Sequence, residues 1–208
     1  MLTSRFDRQR SRGWTMRIGG TMALALALAV SGCGTADYVT DSKASVLLIV
    51  ASVNDGAVLD SDVRLGAEST LICPDNVTVQ VAVRNKNPNA PEPRIPGAVL
   101  IQRYEVRYFR TDGRSDEGVD VPYTINGAIS SAVDVASAGT SPIPIEVVRR
   151  QAKLEPPLSN IQGFDIVTMF ADITIAGETI SGDSVTGSGR VQIDFANYGD
   201  DNTSCPTS

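Results

Sequence analysis

The feature of this chain that most restricts its fold is an alternating run of valines. Val77, Val79, Val81 and Val83 are separated by single residues. Because neighbouring side chains of a β-strand point to opposite faces, a period of two places the four valines on one face of a strand. The run therefore predicts a strand with one buried face.

The segment 98–110 carries a second strong strand signal. Leu100, Tyr104, Val106 and Tyr108 share one parity, and charged residues occupy much of the other. This division into a buried and a wet face is expected of an antiparallel sheet. We expect the four apolar residues to face the core together.

Shorter apolar runs and frequent turn signals continue this pattern, and no long segment has a helical period. Further strands are predicted at 45–53, 62–65, 119–125, 129–135, 143–148, 164–176 and 185–195. Turns are predicted at 54–56, 85–93, 111–114 and 177–178, and one helical turn at 149–154. The expected fold class is all-β, an antiparallel β-sandwich.

One strand resembles a known module. Ile101, Tyr104, Val106 and Tyr108 form the pattern I-x-x-Y-x-V-x-Y, which is similar to the third strand of fibronectin type III domains. The resemblance implies an Ig-like or fibronectin III-like sandwich. The second strand lacks the tryptophan that this family usually places in its core, so we carry over the architecture alone.

The N-terminal segment is typical of an exported protein. An apolar run of nine residues, 22–30, follows a basic stretch and is too short to cross a bilayer, which takes about 20 residues. The last residue of this run and the three residues that follow it, Val30-Ser31-Gly32-Cys33, resemble the lipobox of bacterial lipoproteins. The resemblance implies that a signal peptide, residues 1–32, is removed and that Cys33 carries the lipid. Gly34, where the family often uses Asp for inner-membrane retention, implies the outer membrane. The sequence leaves open whether translation starts at Met1 or at Met16.

The expected organisation is a signal peptide (1–32), a lipidated tether (33–44) and one β-sandwich domain (45–208). Residues 34–44 reach at most about 35–40 Å when extended. From Cys33 onward the chain has 13 basic and 23 acidic residues, a formal net charge of −10. Such a charge opposes binding to nucleic acid, and we expect the lipid to hold the protein on its membrane.

The residue types present exclude several kinds of site. The chain contains no histidine, which excludes Ser-His-Asp and Cys-His catalysis as well as imidazole zinc sites. Besides Cys33 there are two cysteines, Cys73 and Cys205. An even pair in an oxidising compartment predicts a disulfide between them, the alternative being two separate thiols. We expect no cofactor and no metal.

Loop carboxylates are the remaining candidates for a site. Acidic residues cluster at Asp55/Asp60/Asp62, at Asp112/Asp116/Glu117/Asp120 and at Asp200/Asp201, and the second cluster is the best calcium candidate. Solvated turns are the alternative interpretation. The only basic cluster, Arg149, Arg150 and Lys153, is interpreted as a solvent-facing turn or a dock for an acidic partner.

The sequence predicts a membrane-anchored envelope lipoprotein with a non-catalytic binding or assembly role and a protein partner in the envelope. The alternatives are a calcium- or small-ligand-binding module and, less favoured, a hydrolase that uses two carboxylates.

Overall fold

The computed structural model describes residues 43–64, 71–87, 98–134, 139–199 and Cys205. The predicted signal peptide, Cys33 and all but the last two residues of the tether lie outside these residues, as do Asp200 and Asp201. In chain order the elements are β1 (Val46–Val53), a 3-10 turn (Asn54–Gly56), β2 (Leu59–Asp62), β3 (Asp75–Asn85), β4 (Ala98–Arg110), β5 (Ile125–Asp134), β6 (Ser141–Val148), α1 (Arg150–Leu154), a 3-10 turn (Leu158–Asn160), β7 (Val167–Thr179) and β8 (Ser184–Ala196).

The strands form two sheets. One has three strands in the order β1-β3-β6, and the other has five in the order β2-β8-β7-β4-β5. Neighbouring strands are antiparallel except for β2, which runs parallel to β8 at one edge of the larger sheet. The all-β prediction is confirmed.

The apolar faces of both sheets meet in one core. The four alternating valines of β3 are buried, and so are Ile143 and Ile145 of β6 and Met169, Ile173, Ile193 and Phe195 of the larger sheet. Burying one such large side chain contributes about 1.5–3 kcal/mol. The alternation of apolar and polar residues therefore supplies the main driving force for joining the sheets.

A β-bulge in β4 changes which residues face the core. Ile101 pairs with Gly177 of β7 but Arg103 pairs with Ala176, so Gln102 is the extra residue. The bulge reverses the parity of the strand. Val99 and Ile101 are buried before it and Val106 and Tyr108 after it, whereas Leu100 is exposed. The expectation that Leu100 joins the core is wrong, because a simple alternation has no place for the extra residue.

Two glycines allow β8 to approach β1. A Cβ atom on Gly189 would lie 2.7 Å from Val50 Cγ1 and 2.8 Å from Val53 Cγ2, and one on Gly187 would lie 2.9 Å from the Leu48 carbonyl oxygen. These distances are too short for a side chain. The two glycines are a site of close sheet contact.

Other boundaries differ from the predicted ones. The segment 119–125 is a turn with one isolated bridge, Glu117 to Val121, because backbone N–H groups there bond back to the Asp116 carbonyl. β5 is therefore one strand that begins at Ile125. The predicted turn at 177–178 is wrong, since β7 continues to Thr179 and the chain turns over the next four residues.

The short strand predicted at 62–65 lies earlier in the chain. β2 ends at Asp62, and Ser61 and Asp62 are its buried polar residues. In the part of the chain that the structure describes, no helix is long and apolar enough to cross a membrane.

The strand pairing defines two ends of the domain. β1 begins at Val46 opposite Asn85, at what we call the near end, where β7 also turns into β8. β3 begins and β6 ends at the opposite end, the far end, where Asp75 pairs with Val148. The connections β4–β5 (111–124) and β6–β7 (149–166) both lie at the far end.

Candidate interaction surface

The structure pairs the two cysteines of the domain. Cys73 and Cys205 form a disulfide with Cα atoms 5.3 Å apart and a sequence separation of 132 residues. Cys73 lies two residues before β3, and Cys205 follows β8. The bond ties the two segments together at the far end. Cys33, the predicted site of lipid attachment, is outside the described residues.

An arginine occupies the middle of the acidic β4–β5 connection. The Arg114 side chain donates to Asp112 Oδ2 at 2.9 Å and to Asp120 Oδ1 at 3.2 Å. Hydrogen bonds from Arg114 lower the pKa of the Asp112 carboxyl. Glu117 accepts hydrogen bonds from the backbone N–H and the hydroxyl of Thr124. Three of the four carboxylates predicted as calcium ligands, Asp112, Glu117 and Asp120, are thus turned toward donors of their own loop.

The described residues contain no group of three or more acidic or cysteine side chains placed to hold a metal ion. At the other acidic cluster, Asp60 accepts a hydrogen bond from the Tyr198 hydroxyl at 3.3 Å. Burial, followed by the charge of Asp60, raises the pKa of Tyr198 to about 12. The Asp62 carboxylate accepts from the backbone N–H of Arg64 at 3.1 Å.

The predicted basic cluster is divided between surface and interior. Arg149 lies near Glu146 on the surface, but Lys153 is buried, so the interpretation of a solvent-facing turn is wrong for this residue. The Lys153 ammonium donates to Asp75 Oδ1 at 2.8 Å. The sequence offered no sign of this pairing, because Asp75 is 78 residues away along the chain.

Asp75 is the centre of a buried polar cluster that also includes Ser61 and Lys153. The Ser61 hydroxyl donates to Asp75 Oδ2 at 2.6 Å, so both carboxylate oxygens are engaged. Burial raises the pKa of Asp75, and the charge and hydrogen bond of Lys153 oppose that rise. The cluster joins β2, β3 and α1, which lie far apart in sequence.

This cluster and Arg64 hold the β6–β7 connection against the domain. The Arg64 guanidinium donates to the carbonyl oxygens of Ile161 at 2.9 Å and Ser159 at 3.0 Å. Leu158 and Ile161 insert into the hydrophobic core. The connection is therefore held against the domain from Lys153 to Ile161, whereas residues 162–166 are exposed.

Six exposed large apolar residues nevertheless lie at the far end. Within the described part of the chain ten such residues are exposed, and the six are Val119, Tyr123, Leu154, Phe164, Ile166 and Tyr198. Phe164 is fully exposed, and Ile166 and Tyr123 are each 61% exposed. In the described turns of the near end, the exposed large apolar residue is Ile180. Sequence reasoning missed this surface because it assigned Phe164 and Ile166 to a buried strand, although Gly163 directly before them was a sign of a turn.

A shallow groove on the outer face of β7 and β8 is the other candidate. It is lined by Asp172, Thr174, Ser188, Gly189 and Arg190. Arg190 donates to both oxygens of Asp172, at 2.6 and 3.1 Å, and its guanidinium lies 4.5 Å from the ring centroid of Phe109. Among the residues that line this groove, the one carboxylate is Asp172, which is bound to Arg190.

Comparisons with known proteins add little. No model of a known family matches the chain, and no curated protein matches it. A solution structure of a late embryogenesis abundant (LEA) protein is similar over 76% of this chain and 75% of its own, with 14% sequence identity and a TM-score of 0.38.

Proposed function

We propose that this protein is a lipid-anchored protein of the bacterial envelope, held in the outer membrane through Cys33, and that its domain binds another protein and does not catalyse a reaction. We further propose that the two sheets form an Ig-like or fibronectin III-like sandwich. The observation that carries the binding role is the far end, where a firmly packed connection presents Phe164, Ile166 and Leu154 to solvent.

Packing of the connection makes this exposure informative. Leu158 and Ile161 are buried in the same segment, and the segment is bound by Asp75 through Lys153 and by Arg64 through the carbonyl oxygens of Ser159 and Ile161. A loop held so closely leaves out apolar side chains at a cost in solvation, and exposed apolar groups that cluster in one place are typical of interaction sites.

The position of the surface fits an anchored protein. A tether of residues 34–44 reaches at most about 35–40 Å and enters the domain at its near end. β7 has 13 residues, and at about 3.3 Å per residue the sheet is roughly 43 Å long. The far end is therefore the end of the domain that lies farther from the point at which the tether attaches.

The charged groups support a non-catalytic role. The chain has no histidine, and four described carboxylates of the far end, those of Asp75, Asp112, Glu117 and Asp120, bind Lys153, Arg114 or Thr124. A nucleophile or general base must be free to meet a substrate.

The anchoring half of the proposal is tested by mass spectrometry of the protein taken from its own membranes, with Cys33→Ala and Ser31→Ala as matched variants. We expect an acylated N-terminus at Cys33, loss of membrane association in Cys33→Ala, and normal processing in Ser31→Ala, which keeps a small residue before the cysteine. A mature N-terminus elsewhere, or membrane association that survives Cys33→Ala, would overturn the proposal.

A further inference from the structure

We infer, resting on the binding role proposed above, that the far end docks a basic, amphipathic segment of a partner protein. We call the docking site the far-end surface and define it as Val119, Tyr123, Leu154, Phe164 and Ile166. The first two residues belong to the β4–β5 connection and the others to the β6–β7 connection.

The two connections are neighbours. Arg149, at the start of the β6–β7 connection, donates to the carbonyl oxygen of Asn126 at 3.4 Å, and Asn126 stands at the start of β5. The apolar residues of both connections therefore belong to the same end of the domain.

Both connections hold their shape through internal bonds. In the β4–β5 connection, the backbone N–H groups of Val119, Asp120 and Val121 point to the carbonyl oxygen of Asp116, and Arg114 bridges two carboxylates. The β6–β7 connection is held by the buried polar cluster. A surface that is already ordered loses little entropy on binding, which favours a real docking site.

Charge determines which partner fits. The connection 111–124 contains four acidic residues and one arginine, a net charge of −3, and Asp116 and Glu117 are among its exposed residues. The connection 149–166 contains three basic and two acidic residues, a net charge of +1, and its Lys153 is paired with Asp75. The two connections together therefore carry a net charge of −2 (−3 and +1). An acidic rim beside exposed apolar side chains is complementary to a segment with apolar residues on one face and lysine or arginine around it.

The same charge argues against two other occupants. An anionic lipid surface and a second copy of this chain, whose net charge from Cys33 onward is −10, would both be repelled. A basic protein segment is the occupant that this charge favours.

The test uses the full chain in intact cells, with photo-reactive benzoylphenylalanine placed at position 164 or, as the matched control, at position 180. Ile180 is also an exposed apolar residue but lies at the near end. After irradiation, the crosslinked peptide is sequenced by mass spectrometry. We expect position 164 to give one main protein adduct, through a peptide that contains both apolar and basic residues, with a yield at least about tenfold above that at position 180.

A charge-reversed variant tests the electrostatic half. Asp116→Lys is expected to reduce the adduct at position 164 by about tenfold, and Glu117 is left in place because it binds Thr124 within the connection. An adduct to lipid, to this chain itself or to an acidic peptide would overturn the inference, as would equal yields at both positions or no adduct at all. Fractionation of the same cells distinguishes the docking proposal from the anchoring proposal. A failure of anchoring changes the cell fraction in which the chain is found, whereas a failure of docking changes only the adduct. An unchanged melting temperature of each variant shows that the fold is intact.

Discussion

The buried pair of Lys153 and Asp75 gives the sharpest prediction about stability. Lys153→Met retains the length and apolar stem of the side chain but leaves Asp75 with Ser61 as its remaining side-chain donor. Removing one partner of a buried ion pair typically costs about 3–5 kcal/mol, because an uncompensated charge is left in the interior. With a urea m-value near 2 kcal/mol/M, the unfolding midpoint is expected to fall by about 1.5–2.5 M.

The deficit should depend on pH in a defined direction. Burial raises the pKa of Asp75, and Lys153 counteracts that rise, so the pKa rises further in the variant. A carboxyl whose folded pKa lies above its unfolded value stabilises the fold while it is protonated, and this stability is lost as the pH rises through the folded pKa. The variant should therefore be most deficient at pH 8 and recover part of the difference from wild type as the pH falls toward 5.

Urea unfolding followed by circular dichroism at pH 8, 6.5 and 5 measures both effects. Arg190→Met is the matched control, since its ion pair with Asp172 is exposed and contributes about 0.2–1 kcal/mol. Asp75→Asn added to Lys153→Met should restore part of the loss, because no unpaired charge remains. A deficit under about 1 kcal/mol at pH 8, or one that stays constant with pH, would refute this account of the cluster.

Three further predictions concern the core and the disulfide. Gly189→Ala brings a Cβ to 2.7 Å from Val50 Cγ1 and should lower the free energy of unfolding in urea by about 1–3 kcal/mol, with partial rescue by Val50→Ala. An unchanged free energy of unfolding would contradict close contact between the sheets at Gly189. Tyr108→Phe removes a buried hydroxyl that donates at 2.5 Å to a carbonyl of β6, and the loss of about 1–3 kcal/mol should appear as a lower melting temperature. Replacing Cys73 and Cys205 together by alanine should cost roughly 2–5 kcal/mol, measured against the oxidised wild type, and an equal stability of the two proteins would show that the bond contributes nothing.

Much of the fold was predictable because its signals are local. The alternating valines of β3 and the paired parities of β4 specify strands through the pleat alone. What the local pattern missed also has a physical cause. The bulge at Gln102 depends on how β4 meets β7, and the continuation of β7 through Gly177 depends on pairing with β4 and β8.

The surface was less predictable than the fold. Phe164 and Ile166 have the composition of a buried strand, and only the path of the β6–β7 connection turns them outward. Lys153 has the composition of a surface residue, and only the proximity of β3 buries it against Asp75. Both errors arise because apolar content predicts burial on average but not at a given position.

By itself, the amino-acid sequence determined the all-β class, the positions of most strands and the acidic charge, because these depend on side-chain type and period. The lipobox resemblance and its consequences remain predictions from the sequence. The tertiary structure alone decided that β2 runs parallel to β8, that Ser61, Asp75 and Lys153 meet, and that one end presents apolar side chains. Those features depend on contacts between residues far apart in the chain, and no local pattern encodes which distant partner a side chain will meet.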